Sequence, residues 1–309
     1  MRTADSVITA SSHRARGEAS RHAAFAALVI AAVAWFWGPL STVISLSLQY
    51  GQYEHYSHIV AIPFMTLFLL YLDRRVVVAR TAWAPRPGGL LIGAGLVAAV
   101  AARVGGLGRE TTWTVAILSL VAVCIGAFIV CYGTEAFRRA AYPLLLLTLM
   151  APIPPAVLQG TISFLQRWSA EGTAILFDVL GVSVYREGFF FALPGLTIHI
   201  AEECSGIRSS LALFVVGLVA GHMFLRRAWS KATLALLIVP LAIVKNAVRI
   251  VVLSLLAIHV DPSFITGSAV HRYSGIPLFA VSFVIMGGII WMLQRGEARF
   301  GNRATGVAG

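Results

Sequence analysis

Long apolar runs alternate with short polar segments along almost the whole chain. Eight runs approach or reach the roughly 17–25 residues that a membrane-spanning helix needs, and they cover 24–48, 57–72, 88–107, 112–132, 136–151, 205–222, 232–258 and 274–293. The pattern predicts an all-α polytopic membrane protein with about eight transmembrane helices. We expect a cytoplasmic N-terminal segment (1–22), a single transmembrane domain (23–294) and a cytoplasmic basic tail (295–309).

The longest segment outside these runs is 152–204. Its first half, 156–180, mixes apolar and polar residues as an amphipathic helix, or two, lying in the membrane interface would. Its second half, VSVYREGFFFALPGLTIHIAEE, is rich in β-branched and aromatic residues around two glycine turns, which predicts two short strands in a hairpin. Strand edges cannot face lipid unpaired, so we expect this segment to form a cap outside the membrane core, before the sixth helix.

Composition and charge support this interpretation and orient it. The chain is 58% hydrophobic and only 12% charged, against roughly 25% charged residues in soluble proteins. Sixteen Lys and Arg residues fall in segments on one side of the predicted membrane and five on the other, which predicts that both termini are cytoplasmic. The net charge of +11 is thus explained by cytoplasmic loops, and we expect membrane lipids rather than nucleic acid as surroundings.

Reactive side chains are concentrated in HIAEECSGIRSS (199–210), at the predicted entrance of the sixth helix. Cys204 would lie on the outer side of the membrane, where a structural cysteine is expected to have a disulfide partner. A helix N-terminus favours a thiolate, and Arg208 is one turn further on the same face. Glu202 and Glu203 would oppose this by raising the pKa of the thiol, unless they point outward or pair with an arginine. The alternative is that Cys204 is a small buried hydrophobe.

The seventh run, PLAIVKNAVRIVV, carries charges at membrane depth. Such charges cost roughly 2.5–3.5 kcal/mol each and mark function by default. A rise of about 1.5 Å per residue puts Arg249 in the outer part of the membrane, level with the first turns of the sixth helix, with Asn246 one turn before it. Lys245 lies deeper, and we interpret it as a structural residue.

The outer loop before the eighth helix supplies a histidine at the same depth. His271 directly precedes that helix, and His259 and Asp261 are candidates for orienting it. A thiol, an imidazole and a guanidinium are the groups that a nucleophile, a proton carrier and an oxyanion-binding group require.

The first outer loop, QYEHYSHIVAIP, contains two histidines that could in principle bind a metal. His55 and His58 have no clear third ligand, which makes the metal signal weak. We expect structural support from His58, and neither a metal nor a cofactor.

Several pieces of the chain together resemble the exosortase/archaeosortase family of membrane enzymes. The matching pieces are YSHIVAIP (56–63), PIPP (152–155), GVSVYREG (181–188), AEECSGIRS (201–209), NAVRI (246–250) and His271. The combination of AEECSGIRS with N-x-x-R about forty residues later is the most specific part. Ile59 stands where the family pattern has glycine after YSH, which leaves the subfamily open.

The resemblance implies a cysteine protease or transpeptidase of the extracytoplasmic face of the inner membrane. It implies Cys204 as the nucleophile, Arg249 as the electrostatic stabiliser and His271 as the proton carrier. Its implied partners are exported proteins with a C-terminal sorting signal: a short motif often containing Pro-Glu-Pro, a transmembrane helix and a basic cluster. The residues that we expect to bind substrate or support the site are Arg208, Asn246, Glu203, Ser205, Gly206 and His58.

Other functions remain as alternatives at this point. In a polytopic transporter, an anion path would run around Lys245 and Arg249, and polar residues would be spread through the membrane depth. A rhomboid-like serine protease could use Ser205, but the G-x-S-x-G motif is absent. A cytoplasmic cysteine acyltransferase would need its thiol on the opposite face.

Overall fold

The chain forms two compact units, residues Met1–Pro155 and Ala156–Gly309. The structure is a computed structural model, and it describes residues 2–48, 56–79, 81–201, 206–261, 264 and 275–305, with side chains from residue 18 to residue 299. The predicted domain limits at 22/23 and 294/295 stay a prediction.

The first unit is built from helices that follow the predicted apolar runs. They are α1 (Arg2–Trp35), α2 (Trp37–Leu48), α3 (Ala61–Val77), α4 (Pro85–Val104) and α5 (Arg109–Leu146), followed by a 3-10 turn at Leu147–Met150. The first predicted run is divided between α1 and α2, whose axes differ by 75° where they meet. Apolar side chains of α1, α2 and α4 pack against α5 in one buried cluster.

Close packing of α4 on α5 depends on glycine. A Cβ atom added to Gly88 would lie 2.6 Å from the Gly126 carbonyl oxygen, and one added to Gly126 would lie 2.8 Å from the Gly88 carbonyl oxygen. Small residues at such crossings let two membrane helices approach until their backbones touch. These two glycines therefore serve helix packing.

The predicted fourth and fifth runs form two helical parts of α5, which meet at a break at Gly133. Its backbone leaves the helical region at φ 91° and ψ 167°. The loop before α4 lies against this break, because the Ala82 and Ala84 amides donate to the Tyr132 and Val130 carbonyls at 3.1 Å. The break therefore coincides with the predicted boundary between the two runs, without an intervening loop.

The second unit begins with α6 (Pro155–Val179), whose first residue lies at the boundary between the units. A small sheet follows, and then three long helices, α7 (Ile207–Phe224), α8 (Ala228–His259) and α9 (Gly275–Thr305). The predicted interfacial region is thus a single 25-residue helix followed by strands.

The sheet has three antiparallel strands, one more than we predicted. They are β1 (Tyr185–Glu187), β2 (Phe190–Leu193) and β3 (Leu196–His199), paired in sequence order. Gly188 and Gly195, with φ of 61° and 79°, form the two turns. Two turns in one segment separate three strands, so the prediction of two strands in a single hairpin was wrong.

In the second unit α7 and α8 are antiparallel, and α9 runs parallel to α7. A side chain at Gly217 of α7 would collide with Ile238 of α8 and contact Met286 of α9. The Gln294 amide donates to the Phe224 carbonyl at 3.0 Å, and the Glu297 carboxylate accepts the Arg226 and Arg227 backbone amides. The starts of α7 and α9 therefore lie at the end of the bundle opposite Glu297, together with the end of α8. We call these two ends the Gly206 end and the Glu297 end.

The exterior of the described helices is strongly apolar. Large hydrophobic side chains that are at least two-thirds exposed include Leu90, Val97, Leu236 and Val284. Five of the described helical elements are long and apolar enough to cross a membrane, namely α4, α5 with its 3-10 turn, α7, α8 and α9, and the bent α1–α2 pair could form a sixth. The chain is therefore a largely helical, multi-pass membrane protein, while the predicted count of eight spans and their orientation stay predictions.

Candidate functional site

Three polar residues of α8 lie within little more than one helical turn. Lys245 and Asn246 are buried, at 7% and 1% exposure, and Arg249 is half-buried. A helix of 32 residues exceeds the roughly 20 that span a membrane, so α8 can carry these residues within the bilayer depth. Buried polar groups are stable there only with hydrogen-bond partners. The partners of these residues therefore show which other elements form the site.

Lys245 is bound by the first turn of α7. Its ammonium group donates a hydrogen bond to the Ser209 hydroxyl. The Ser209 and Ser210 hydroxyls in turn donate to the Gly206 carbonyl, at 3.1 and 2.8 Å. The ammonium thus contributes to fixing the start of α7.

Gly206, immediately before α7, has a backbone conformation that favours glycine. Its φ is 72° and its ψ is 17°, the left-handed region, which other residues adopt only at a cost. The Asn246 side chain lies directly against it, because a Cβ atom added to Gly206 would be 2.7 Å from Asn246 Oδ1. Helix α8 therefore contacts the chain two residues after Cys204.

Asn246 is itself held by α6. Its Nδ2 donates to the Ser169 hydroxyl at 3.0 Å, and Ser169 is fully buried. One turn earlier in α6, Gln166 Nε2 donates to the Ile200 carbonyl at 2.7 Å. The two ends of the motif region, Ile200 and Gly206, are thus both connected to α6.

The sheet is also tied to α6, through an ion pair. The Arg186 guanidinium donates two hydrogen bonds to the Glu171 carboxylate, at 2.9 and 2.8 Å, and a third to the Gly188 carbonyl. These hydrogen bonds from Arg186 lower the pKa of the Glu171 carboxyl, and the hydrogen-bonded Glu171 raises the pKa of Arg186. The bidentate geometry is one that Lys could not reproduce.

Several predicted site residues lie outside the described residues. They are Glu203, Cys204, Ser205 and His271, and Glu202 of the same motif. The described residues that flank them, Gly206 and Gly275, precede or begin α7 and α9 at the same end of the bundle. Arg249 lies three residues, about 4.5 Å along the helix axis, beyond Asn246 toward that end. The backbone thus brings together the elements that flank the three predicted catalytic residues.

Other predicted residues have less specific surroundings. Arg208 is exposed on the first turn of α7. His259 is exposed at the end of α8, with its Nδ1 hydrogen-bonded to the Leu255 carbonyl at 2.9 Å. Asp261 is exposed as well, and the orienting role predicted for these two residues stays a prediction, because His271 lies outside the described residues.

His58 belongs to the first unit. It is half-buried in the turn before α3, where its carbonyl accepts the Ala61 amide at 3.1 Å. Between buried Tyr56 and Ile59, it supports the local turn. Within the described ranges, no group of three or more His, Cys, Asp or Glu residues could hold a metal ion. His55, the second histidine of that loop, lies outside these ranges.

Sequence reasoning missed the role of α6. We assigned its polar residues to a water-facing surface of an interfacial helix, and Gln159, Arg167 and Asp178 are indeed exposed. Gln166 and Ser169, in contrast, are buried and bonded within the unit. Their spacing of three residues, on a face shared with Leu165 and Thr173 and opposite to Arg167, was the signal that could have indicated an inward-facing pair.

The described helices have an apolar exterior, and α6, α7 and α8 enclose a buried, hydrogen-bonded polar layer. These two features define a polytopic membrane protein with an intramembrane polar site. A family model described as transmembrane exosortase matches residues 50–288. This match covers well over half of the chain, so the chain belongs to the transmembrane exosortase family, whose members are generally cysteine-type transpeptidases. Searches of curated proteins and of solved structures found no significant match.

Proposed function

We propose that this chain is a membrane-embedded cysteine protease or transpeptidase that removes the C-terminal sorting signal of exported proteins. The observation that carries the proposal is the contact between buried Asn246 and Gly206. It joins α8, one turn before Arg249, to the chain two residues after Cys204. The matched family region contains Cys204, Arg249 and His271, which supports the same reaction class.

In the proposed reaction the Cys204 thiolate attacks the scissile carbonyl carbon. The carbonyl π electrons move onto oxygen, and the Arg249 guanidinium stabilises the oxyanion that forms. Collapse of this intermediate breaks the C–N bond, and His271 gives its proton to the leaving amine. A thioester between Cys204 and the new carboxyl end remains.

The thioester is resolved by a second nucleophile. Water yields a free carboxylate, whereas an amine or hydroxyl on an acceptor yields a transferred product. In either case His271 accepts the proton of the incoming nucleophile, and the sulfur leaves as a thiolate. The enzyme thus returns to its starting protonation state.

The substrate tail would lie beside the enzyme in the same membrane. Its transmembrane helix and basic cluster set the depth of the short motif, which we place at the extracytoplasmic face, level with Cys204. The count of Lys and Arg residues supports this orientation. An impermeant thiol reagent applied to intact cells should therefore label Cys204, and labelling only after the membrane is opened would contradict the orientation.

The function is tested by replacing the nucleophile and a matched thiol. Cys204→Ala should abolish removal of the tail from a co-expressed exported protein that bears a sorting signal. Cys131→Ala, at a buried cysteine in α5, is the control and should leave processing intact. Tail removal that persists in membranes with normal amounts of the Cys204→Ala protein would overturn the proposal.

A further inference from the structure

One exposed face of α9 changes from apolar to basic along the helix. Val284, Trp291 and Met292 are 73%, 52% and 67% exposed, and Arg295 and Arg299 are exposed as well. At about 100° per residue, these five side chains lie within about one-third of the helix circumference. The face that meets lipid hydrocarbon in a membrane-spanning helix therefore ends in a pair of arginines one turn apart.

The depth of these arginines corresponds to the boundary between the hydrocarbon and the lipid headgroups. Arg295 lies about 30 Å along the helix axis from Gly275, where α9 begins, and the hydrocarbon core of a bilayer is about 30 Å thick. The Arg295 guanidinium lies over the Trp291 ring, 3.6 Å from its centroid. Tryptophan rings and the charged ends of long basic side chains both favour this boundary, so α9 presents its two charges at the level of the lipid phosphates.

The opposite face of α9 is engaged within the protein. Glu297 lies between the two arginines in sequence but about 160° away around the helix. Its carboxylate accepts the Arg226 and Arg227 backbone amides at the start of α8. Among the side chains that the structure describes, no carboxylate forms an ion pair with Arg295 or Arg299. An anion that approaches from the lipid side would therefore meet two guanidinium groups without displacing an acidic partner.

The first unit contains the same arrangement in α3. Phe64, Phe68 and Tyr71 are 68%, 49% and 61% exposed, and Arg75 follows on the same face. The Arg74 guanidinium lies over the Tyr71 ring, 3.9 Å from its centroid. An exposed apolar face in each unit thus ends in an aromatic ring covered by a guanidinium. Both arginine pairs also belong to segments that the count of Lys and Arg residues predicts to be cytoplasmic.

We propose that Arg295 and Arg299 bind the headgroup phosphate of an anionic phospholipid whose acyl chains lie along the apolar face of α9. The planar donors of a guanidinium match the oxygens of a phosphate in pairs, and Trp291 contacts both the guanidinium and the adjoining hydrocarbon. A phosphatidylglycerol headgroup carries no cation of its own, whereas the choline of phosphatidylcholine competes with the arginines. This site is independent of the reaction proposed for Cys204.

The first test maps and measures lipid binding on the purified full-length protein. A photoreactive phosphatidylglycerol is titrated into the protein in nonionic detergent and cross-linked, and the labelled peptides of α9 are identified by mass spectrometry after pepsin digestion. In Arg295→Gln/Arg299→Gln, half-maximal labelling of α9 should require at least about 10-fold more lipid, because each basic side chain near an anionic headgroup contributes about fivefold. Labelling by the phosphatidylcholine analogue should be weaker and should not change.

The matched control is Arg103→Gln. Arg103 is an exposed arginine in the last turn of α4, and its loss should change the labelling of α9 less than about 2-fold. An unchanged midpoint in the double α9 variant, an equal change in Arg103→Gln, or equal labelling by both lipids would each overturn the proposal. Thermal unfolding in detergent without added lipid should be the same in all these proteins, because the substituted side chains are exposed.

The second test separates a lipid site from a simple anion site. Unlabelled phosphatidylglycerol should prevent labelling of α9, whereas inorganic phosphate at the same ionic strength should not, because it lacks the acyl chains that contact the apolar face. Trp291→Leu keeps this face apolar but removes the ring beneath the guanidinium, so it should weaken labelling by about two- to fivefold. Displacement by inorganic phosphate would overturn the assignment to a lipid, and full labelling of Trp291→Leu would overturn the contribution of the ring.

Discussion

The two ends of the α7–α8–α9 bundle use polar residues in different ways. At the Glu297 end, polar side chains bind backbone groups at helix termini: the Glu297 carboxylate accepts amides at the start of α8, and Gln294 donates to the end of α7. At the Gly206 end, Lys245 and Asn246 are buried among side chains of other helices. Helix ends require caps in any protein, whereas a buried intramembrane lysine beside an arginine is costly and needs a further reason.

From this comparison we infer, as a hypothesis to be tested, that the Gly206 end is the functional end and the Glu297 end a structural one. Variants at the Gly206 end should therefore reduce processing more than they reduce the amount of folded protein. Variants at the Glu297 end should do the reverse. The following predictions test this difference in order of decreasing effect.

The largest effect is expected at Arg249. Arg249→Lys keeps the positive charge but loses the planar pair of donors, so processing should fall about 100-fold or more, as when an oxyanion-binding group is lost. Initial rates of tail removal in membranes with equal amounts of enzyme measure this. The control is Arg226→Ala at the Glu297 end, where the side chain is exposed and processing should change less than 2-fold. Full activity of Arg249→Lys would reduce Arg249 to a general positive charge.

The next effect is expected at Gly206. Gly206→Ala places a non-glycine residue at φ 72° and a Cβ atom 2.7 Å from Asn246 Oδ1. The left-handed conformation alone costs about 1–2 kcal/mol, and displacement of Asn246 should lower processing further, at least 10-fold. Thermal unfolding in detergent measures the loss of stability, and the rate of tail removal measures the loss of processing.

Gly287→Ala is the matched control for this substitution. It lies within α9 with no atom within 4 Å of an added Cβ, and it should be neutral or stabilise the protein by up to about 1 kcal/mol. If Gly206→Ala behaved like Gly287→Ala, the close contact of α8 with the start of α7 would have no functional role.

At the Glu297 end the effect should be on stability alone. Glu297→Ala removes the acceptor for the amides that precede and begin α8, and loss of such a cap costs about 0.5–2 kcal/mol. The unfolding temperature should fall, and processing per folded molecule should stay within 2-fold of the parent protein. A specific loss of processing with unchanged unfolding would remove the distinction between the two ends.

The smallest effect concerns the ion pair between α6 and the sheet. Arg186 lowers the pKa of Glu171, so the pair stabilises the fold above the ordinary pKa of a glutamate, and this contribution is lost as the pH falls through the lowered value. With the Glu171 side chain 46% exposed, the contribution should be at most about 1 kcal/mol. The free energies of unfolding of the parent protein and of Glu171→Gln should converge as the pH falls below about 4. A constant difference between them at all pH values would contradict the sign of this pKa shift.

Hydrophobic runs alone predicted α7, α8 and the start of α9 closely, because spans of lipid-facing residues must be apolar throughout, whereas α9 continues to Thr305, beyond the predicted end at 293. The runs also placed a boundary where the backbone leaves the helical region at Gly133, but they did not predict that the two helical parts join without a loop, since a glycine between two apolar runs fits a loop as well as a break. The third strand was missed although both glycine turns were identified, because only two strands were counted around the two turns.

The candidate site was predictable in part. Charges within the seventh run stand out in an apolar sequence and drew attention to Lys245, Asn246 and Arg249, whereas Cys204 and His271 lie outside the described residues and stay predictions. The contributions of Gln166, Ser169 and Ser209 were not found, because neutral polar residues are common in interfacial helices. Their bonds to Ile200, Asn246 and Lys245 join parts of the chain more than thirty residues apart, which no local pattern reveals.

The central claim is that a thioester forms on Cys204, and it can be observed directly. The enzyme is mixed with a substrate that carries a sorting signal, quenched in acid during turnover, and digested for mass spectrometry. We predict an acyl adduct on the peptide that contains Cys204, released by hydroxylamine and missing in Cys204→Ala. Turnover with an adduct on another residue, or with no adduct under conditions that preserve thioesters, would contradict the account.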